Sequence, residues 1–221
     1  MKIEGKTGHP KIEYLQPQEI EARSFEIIGE ELSQRGIALK KEEEAIVKRA
    51  IHTSADFDYA KTLCFSKGAV WELKRLLKAG ADIVTDTNMA LAGINKNSLA
   101  RFGGKAHCFM AEEETISLAK QRNTTRAAVS MERAAKISKP VIFAIGNAPT
   151  ALIKLYELCM ESARGNGWKP GFIIGVPVGF VNVEASKELI MEMDIPYIVN
   201  RGRKGGSNIA AAICNAALYQ L

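Results

Sequence analysis

The chain has 221 residues, long enough for one sizeable α/β domain. Hydrophobic residues make up 47% and charged residues 25%, the balance of an ordinary globular protein, and no apolar run approaches the length that crosses a bilayer. A net charge of +5, aromatic content of only 7% and the lack of any basic run interleaved with aromatics argue against a nucleic-acid partner, while leaving room for a small ligand carrying several carboxylates.

The opening "MKIEGKTGHPKIEYLQPQ" is polar and broken by Gly and Pro, unlike a secretory leader, so a cytoplasmic protein is expected. "PQEIEARSFEIIGEELSQRG" predicts a helix with Pro17 in its first turn and Gly36 at its exit, and Ile20, Phe25, Ile28 and Leu32 recur at helical spacing. "KEEEAIVKRAIH" predicts a second helix. Its glutamates suit the positive end of the helix dipole, and its last residue is His52. "SADFDYAKTLCFS" predicts a third, capped by Ser54, and "KGAVWELKRLLKAG" a fourth, closed by Gly80.

The pattern then changes to short apolar runs: "ADIVTD", "KAHCFM", "PVIFAIG", "GFIIGV" and "IPYIVN". Most are followed by helical stretches: "AEEETISLAKQRNTTRAAVSMERAAK", "APTALIKLYELCMESA", "VEASKELIMEM" and "SNIAAAICNAALYQ". Strands alternating with helices predict a Rossmann-like α/β fold, with a mainly parallel sheet covered by helices on both faces and preceded by a helical N-terminal region. No linker interrupts the pattern, so residues 1–221 read as a single domain. Cys64, Cys108, Cys159 and Cys214 are far apart and form no C-x-x-C pair, so free thiols are expected and neither a disulfide frame nor a metal site.

In an open parallel sheet the ligand site lies beyond the carboxyl ends of the strands. That rule selects "TDTNMALAG", "QRNTTR", "GNAPT", "VPVGFVNVEAS" and "NRGRKGGSN". In the last of these, Gly202, Gly205 and Gly206 permit tight turns, Ser207 can cap the following helix, and Arg201, Arg203 and Lys204 add positive charge. The loop reads either as an anion cradle or as a solvated basic turn. It has neither the Walker pattern nor the G-x-G-x-x-G spacing. Asp86, Thr87 and Asn88 either cap a helix or contact a ligand, and the same choice applies to Asn147. Arg122 and Arg126, four residues apart, either form a solvated helix face or clamp ligand carboxylates. His52 stands at a helix end beside Asp56 and Asp58, where dipole and carboxylates favour the imidazolium and burial under a ligand opposes it. That balance suits a proton donor or acceptor. His9 falls in the terminal segment, and His107 in an apolar strand pattern reads as a hydrogen-bonded core histidine.

Taken together, "RAIHTSADFDYA", "TDTNMALAGI", "AIGNAPTAL", "GVPVGFVNVEASK" and "VNRGRKGGSNIAAA" resemble, in order, the signature blocks of the precorrin-8X methylmutases of cobalamin biosynthesis. The resemblance runs from "HPKIE" to the C-terminal helix. It implies isomerisation of precorrin-8, or of its cobalt complex, to hydrogenobyrinate or cobyrinate, as a methyl group moves from C11 to C12 in a [1,5] shift. It further implies a homodimer and no redox or nucleotide cofactor. His52 matches the family histidine that protonates, or hydrogen-bonds to, a macrocycle nitrogen. Arg126 matches a family arginine, and Ser24 a family serine near the substrate. The "HPKIE" and "IHTSADFDYA" segments lean toward the cobalt-early route. Two other readings compete on the residues alone: a nucleotide- or phosphate-binding α/β enzyme, and a non-catalytic tetrapyrrole carrier with the same basic edge.

Overall fold

A computed structural model describes residues 12–162 and 167–221 of the chain. The chain divides into two compact units, Met1–Ala38 and Leu39–Leu221.

In the first unit, helix α1 spans Pro17–Gln34. Its start follows the expected chemistry. Pro17 lacks an N–H that would have had no partner, and the Gln16 N–H donates to the Glu19 carboxylate at 3.1 Å. Gly36, at φ 66°, turns the chain out of the helix. Ile28 and Leu32 are buried, whereas Ile20, expected to face a core, is exposed.

The second unit holds a six-stranded sheet in the order β1-β6-β5-β4-β2-β3. The strands are β1 (Leu63–Phe65), β2 (Asp82–Thr85), β3 (Ala106–His107), β4 (Val141–Ile145), β5 (Phe172–Gly175) and β6 (Tyr197–Asn200). All neighbouring pairs are parallel except β1 with β6, which is antiparallel. Every residue of β2, β4 and β5 is buried, as expected of parallel strands covered on both faces. One face presents Val84, Phe143, Ile145, Ile173 and Val199 to a core that includes Ala127 and Met131 from α8 (Arg126–Ala134), Leu152 and Leu155 from α9 (Pro149–Ser162) and Ile190 from α10 (Val183–Met191). Helix α11 (Ser207–Leu218) packs against β4 and β5, and also against α2 (Glu44–Ser54), α4 (Ala69–Lys78) and α5 (Asn88–Gly93). Its sequence, "SNIAAAICNAAL", is apolar almost all round, which is why it is buried along nearly its whole length. The remaining elements are α3 (Tyr59–Thr62), α6 (Lys96–Ala100) and α7 (Glu113–Gln121).

Three local expectations change. The helix predicted over residues 54–66 is not continuous. Ser54 does not cap it; it is the last residue of α2, and its Oγ donates to Ala50 O at 2.7 Å. Only Tyr59–Thr62 is helical, and Leu63–Phe65 pairs with β6 instead. The long helix expected after β3 breaks into α7 and α8 at Asn123, which is left-handed at φ 49°, and Thr125, whose hydroxyl accepts the Ala128 N–H at 3.1 Å. Consequently Arg122 and Arg126 do not share a helix face. The four cysteines are free, with Cys159 and Cys214 buried. Among the described residues no helix is long and apolar enough to cross a membrane.

Candidate active site

Strand order reverses direction between β2 and β4: β3 lies beyond β2 on one side, while β4, β5 and β6 extend on the other. In sheets of this kind ligands bind beyond the strand carboxyl ends at such a switch point. Asp86, the residue after β2, is fully buried there. One carboxylate oxygen accepts the Gly146 N–H at 2.9 Å, and the other accepts those of Asn147 and Ala148 at 2.8 and 2.6 Å. Asp86 thus ties the end of β2 to the turn that starts α9. Burial pushes its carboxyl above its ordinary value, and the three N–H donors oppose that rise.

Thr87 caps α5 by accepting the Ala90 N–H at 3.0 Å and shares a 2.7 Å hydrogen bond with the Ser207 hydroxyl at the start of α11. Glycine is required where these segments meet. A Cβ on Gly146 would lie 2.6 Å from Ser207 Cα, so the β4 turn and the α11 N-terminus touch backbone to backbone. Asn88 and Asn147 are exposed at the rim. The Thr125 hydroxyl donates to Thr150 Oγ1 at 3.1 Å, which seats the N-terminus of α8, and with it exposed Arg126, beside the first turn of α9. Arg126 makes no ion pair among the described residues. Arg122 instead pairs with Glu132 at 2.7 Å.

The loop after β6 is built differently from a free anion cradle. The Gly206 N–H donates to Val176 O at 2.9 Å, and the Gly179 N–H to Arg203 O at 3.2 Å, so this loop and the β5–α10 loop form one layer. A Cβ on Gly205, at φ 159°, would overlap Val176 O. Underneath, the fully buried Lys187 ammonium donates to Gly202 O at 2.6 Å and Lys204 O at 2.9 Å. Asn200, also fully buried, donates to Lys204 O at 2.9 Å and accepts from Thr62 Oγ1 at 2.6 Å. Burial pushes the Lys187 pKa down to about 8.

Each of the three cations in this loop meets a protein carboxylate. Arg201 lies 3.2 Å from Glu188, Arg203 lies 3.6 Å from Glu184, and Lys204 reaches both Asp56 and Asp58 at 2.6 Å. Arg201 turns toward Glu188 of α10. Arg203 also lies over the Phe180 ring, 5.4 Å from its centroid. The Lys204 contact brings the end of α2 to the site. His52 sits exposed in the last turn of that helix, two residues before Ser54. Phe180, Val181 and Met89 are exposed apolar side chains on the same strand-end loops. Ser24 belongs to α1 in the first unit, where its hydroxyl donates to Ile20 O at 2.8 Å.

His107 takes no part in this group. It lies partly exposed on edge strand β3 and not in the core, and its hydrogen bond is to Asp82, with Nε2 2.9 Å from Oδ2. His9 lies outside the described residues. No group of three His, Cys, Asp or Glu side chains among the described residues could hold a metal ion. Lys187 and Asn200 were not foreseen from the sequence. For Lys187 there was a signal: it falls on the helical stripe Val183–Lys187–Ile190, whose other members are buried and apolar.

A doubly wound sheet with a switch point between β2 and β4 and a basic loop after β6 defines an α/β protein of the class whose ligands bind beyond the strand carboxyl ends. Comparison with known proteins narrows that class. The precorrin-8X methylmutase family model matches residues 19–220. A cobalt-precorrin-8 methylmutase of Priestia megaterium is 41% identical over 202 residues, covering 91% of this chain and 87% of the relative. One from Salmonella typhimurium is 42% identical over 210 residues, covering 93% and 96%. The crystal structure of a precorrin-8x methyl mutase from Thermus thermophilus superposes with a TM-score of 0.79 at 34% identity, covering 91% of this chain and 96% of that one. The chain belongs to the precorrin-8X methylmutase family, isomerases of cobalamin biosynthesis that relocate a methyl group within one molecule.

Proposed function

We propose that the protein converts precorrin-8, or its cobalt complex, to hydrogenobyrinate or cobyrinate by moving a methyl group from C11 to C12. One carbon–carbon bond breaks at C11 and one forms at C12. Composition is unchanged, so the net reaction calls for no oxidant, reductant or methyl donor. His52 gives a proton or a hydrogen bond to a macrocycle nitrogen, drawing electron density from the ring and easing the [1,5] shift. Thr87, Ser207, Asn88 and Asn147 line the site, and Arg126 meets ring carboxylates at its edge, with Arg201 and Arg203 at the rim. Arg122, Lys204 and Gly205 are further candidates drawn from the strand-end loops. Asp86 acts from beneath by fixing the strand ends.

The observation that supports this reading is the pair of Lys204 contacts to Asp56 and Asp58, which join the turn after the helix of His52 to the loop after β6. The two bacterial relatives are cobalt-precorrin-8 methylmutases, which favours the cobalt complex as the natural substrate. Incubation with precorrin-8 and with its cobalt complex tests both points. The product should keep the substrate's mass while its spectrum changes, and the cobalt form should turn over faster. A change in mass, or no spectral change with either compound, rules out the assignment.

A homodimer is part of the same proposal. A corrinoid ring has two faces and a long carboxylate perimeter, whereas the strand-end loops rise from one edge of one sheet. Phe180, Val181 and Met89 remain exposed beside them. Sedimentation at micromolar concentration should give twice the chain mass, and a fully active monomer would refute the dimer.

A further inference from the structure

The turn after His52 contains no glycine, yet at Ala55 it passes through the left-handed region, with φ 55°. An L-residue adopts that conformation at a cost, and it persists where the surroundings hold it. Here a chain of hydrogen bonds does so. Ser54 Oγ accepts the Asp56 N–H at 3.2 Å, and Asp56 Oδ1 accepts the Asp58 N–H at 2.9 Å. The Lys204 ammonium donates to Oδ2 of Asp56 and to Oδ2 of Asp58, each at 2.6 Å.

Lys204 is itself fixed from the other side. Its carbonyl accepts from buried Lys187 at 2.9 Å and from buried Asn200 at 2.9 Å. An exposed ion pair is normally weak, because two mobile side chains must be ordered to make it. In this case the lysine backbone is pinned from below and one of the two carboxylates is already engaged with a backbone N–H. Consistent with a formed contact, the Asp56 carboxyl is held below its usual range, first by the Lys204 hydrogen bond.

We propose that Lys204 is a positioning residue for His52: its ammonium clamps Asp56 and Asp58 and so fixes the left-handed turn that closes the histidine's helix. The inference rests on His52 acting on the macrocycle, and it replaces the expectation that Lys204 meets a substrate carboxylate. The clamp joins two segments about 150 residues apart in sequence, α2 with its turn and the loop after β6.

Two variants separate the roles: Lys204→Met, and the double change Asp56→Asn with Asp58→Asn. With cobalt-precorrin-8 as substrate, a clamp predicts that both lower kcat by about tenfold with KM within about twofold of wild type, that combining them adds little, and that Lys204→Arg restores part of the loss. A carboxylate-binding Lys204 predicts the reverse. Lys204→Met would raise KM, and the double Asp variant, by freeing the ammonium, would lower it; that result overturns the proposal.

The unliganded protein gives a readout that does not depend on the substrate assignment. Amide exchange at positions 56 and 58, each taken relative to the intrinsic rate for its own sequence, should be about tenfold faster in both variants, and the His52 ring Cε1–Hε1 resonance should move alike in both. Wild-type exchange with an unmoved His52 resonance overturns the clamp whatever the substrate. Faster exchange and a moved resonance in a protein whose wild type leaves both macrocycles unchanged would uphold the clamp and remove the proposed reaction.

Discussion

Replacing Asp86 by Asn changes one atom and should separate an architectural carboxylate from a ligand contact. The Asp86 side chain is fully buried and satisfies three backbone N–H groups, one on Oδ1 and two on Oδ2. The better amide orientation leaves the carbonyl oxygen facing Asn147 and Ala148. Its NH₂ then confronts the Gly146 N–H, donor against donor. A buried donor without a partner costs about 1–3 kcal/mol, so the expected loss is about 2–3 kcal/mol. Asp86→Ala abandons all three donors but also removes a desolvated carboxylate, so it should cost less than three such penalties, about 3–5 kcal/mol. Urea unfolding at constant pH is the assay. With a slope of about 2–3 kcal/mol/M, the Asn variant should unfold about 1 M earlier. The pH dependence has a definite sign. Because the folded pKa is raised, the proton-linked part of the Asp86 contribution is complete below the unfolded value of about 3.9 and is lost as pH rises through the folded value, leaving the part carried by the three N–H bonds. Asn does not titrate, so the gap between wild type and variant should be widest in acid and narrow above it. An Asn variant within about 0.5 kcal/mol of wild type at every pH would refute the view that Asp86 ties the two strand ends together.

Further outcomes concern the reacting group, the buried lysine and the cations. His52→Ala should fold and bind substrate yet lose about 10²–10⁴ in turnover; near-normal turnover removes His52 as the proton donor. Lys187, pushed down to about 8, holds fewer protons in the folded than in the unfolded chain between that value and about 10.4, so stability should rise with pH across this window. Thermal melts of Lys187→Met should lack that slope; a slope equal to wild type would assign it to another group. Arg126→Ala should weaken binding of the carboxylated macrocycle more than Arg201→Ala does, because Arg201 already has Glu188 at 3.2 Å. Titration of both variants with the acid product and with an amidated analogue checks the order, and a larger effect of Arg201→Ala on the acid form reverses it.

The parts of the fold that the sequence disclosed are those set by local pattern. Strands β2, β4 and β5 are continuous apolar runs because both faces are covered, and α11 advertised its central position through its alanines. Strand β1 was hidden because "LCF" gains its partner from β6, more than 130 residues away. The break between α7 and α8 was written in "NTT", a residue tolerant of left-handed backbone followed by a capping hydroxyl, yet flanking helix formers masked it. At the site, the order of the loops was readable, but the partners of their charges were not. Glu184 and Glu188 approach Arg203 and Arg201 only because α10 returns along the sheet, and nothing in "NRGRKGG" announces Asp56 or Asp58.

Those pairings alter how a basic loop can serve a carboxylated ligand. A loop with three cations suggests a standing positive field, but each cation here already faces a carboxylate, so little net attraction is left to act at a distance. The pairs are not equivalent. Arg201–Glu188 and Arg203–Glu184 join side chains that are all at least half exposed, and such pairs contribute about 0–1 kcal/mol. An incoming carboxylate able to take two parallel guanidinium hydrogen bonds can displace a glutamate at that small cost. Lys204 grips two carboxylates from a pinned backbone and has no comparable vacancy. The loop therefore divides its charges by what holds them: the arginines remain exchangeable at the rim, while the lysine stays committed to the turn that carries His52.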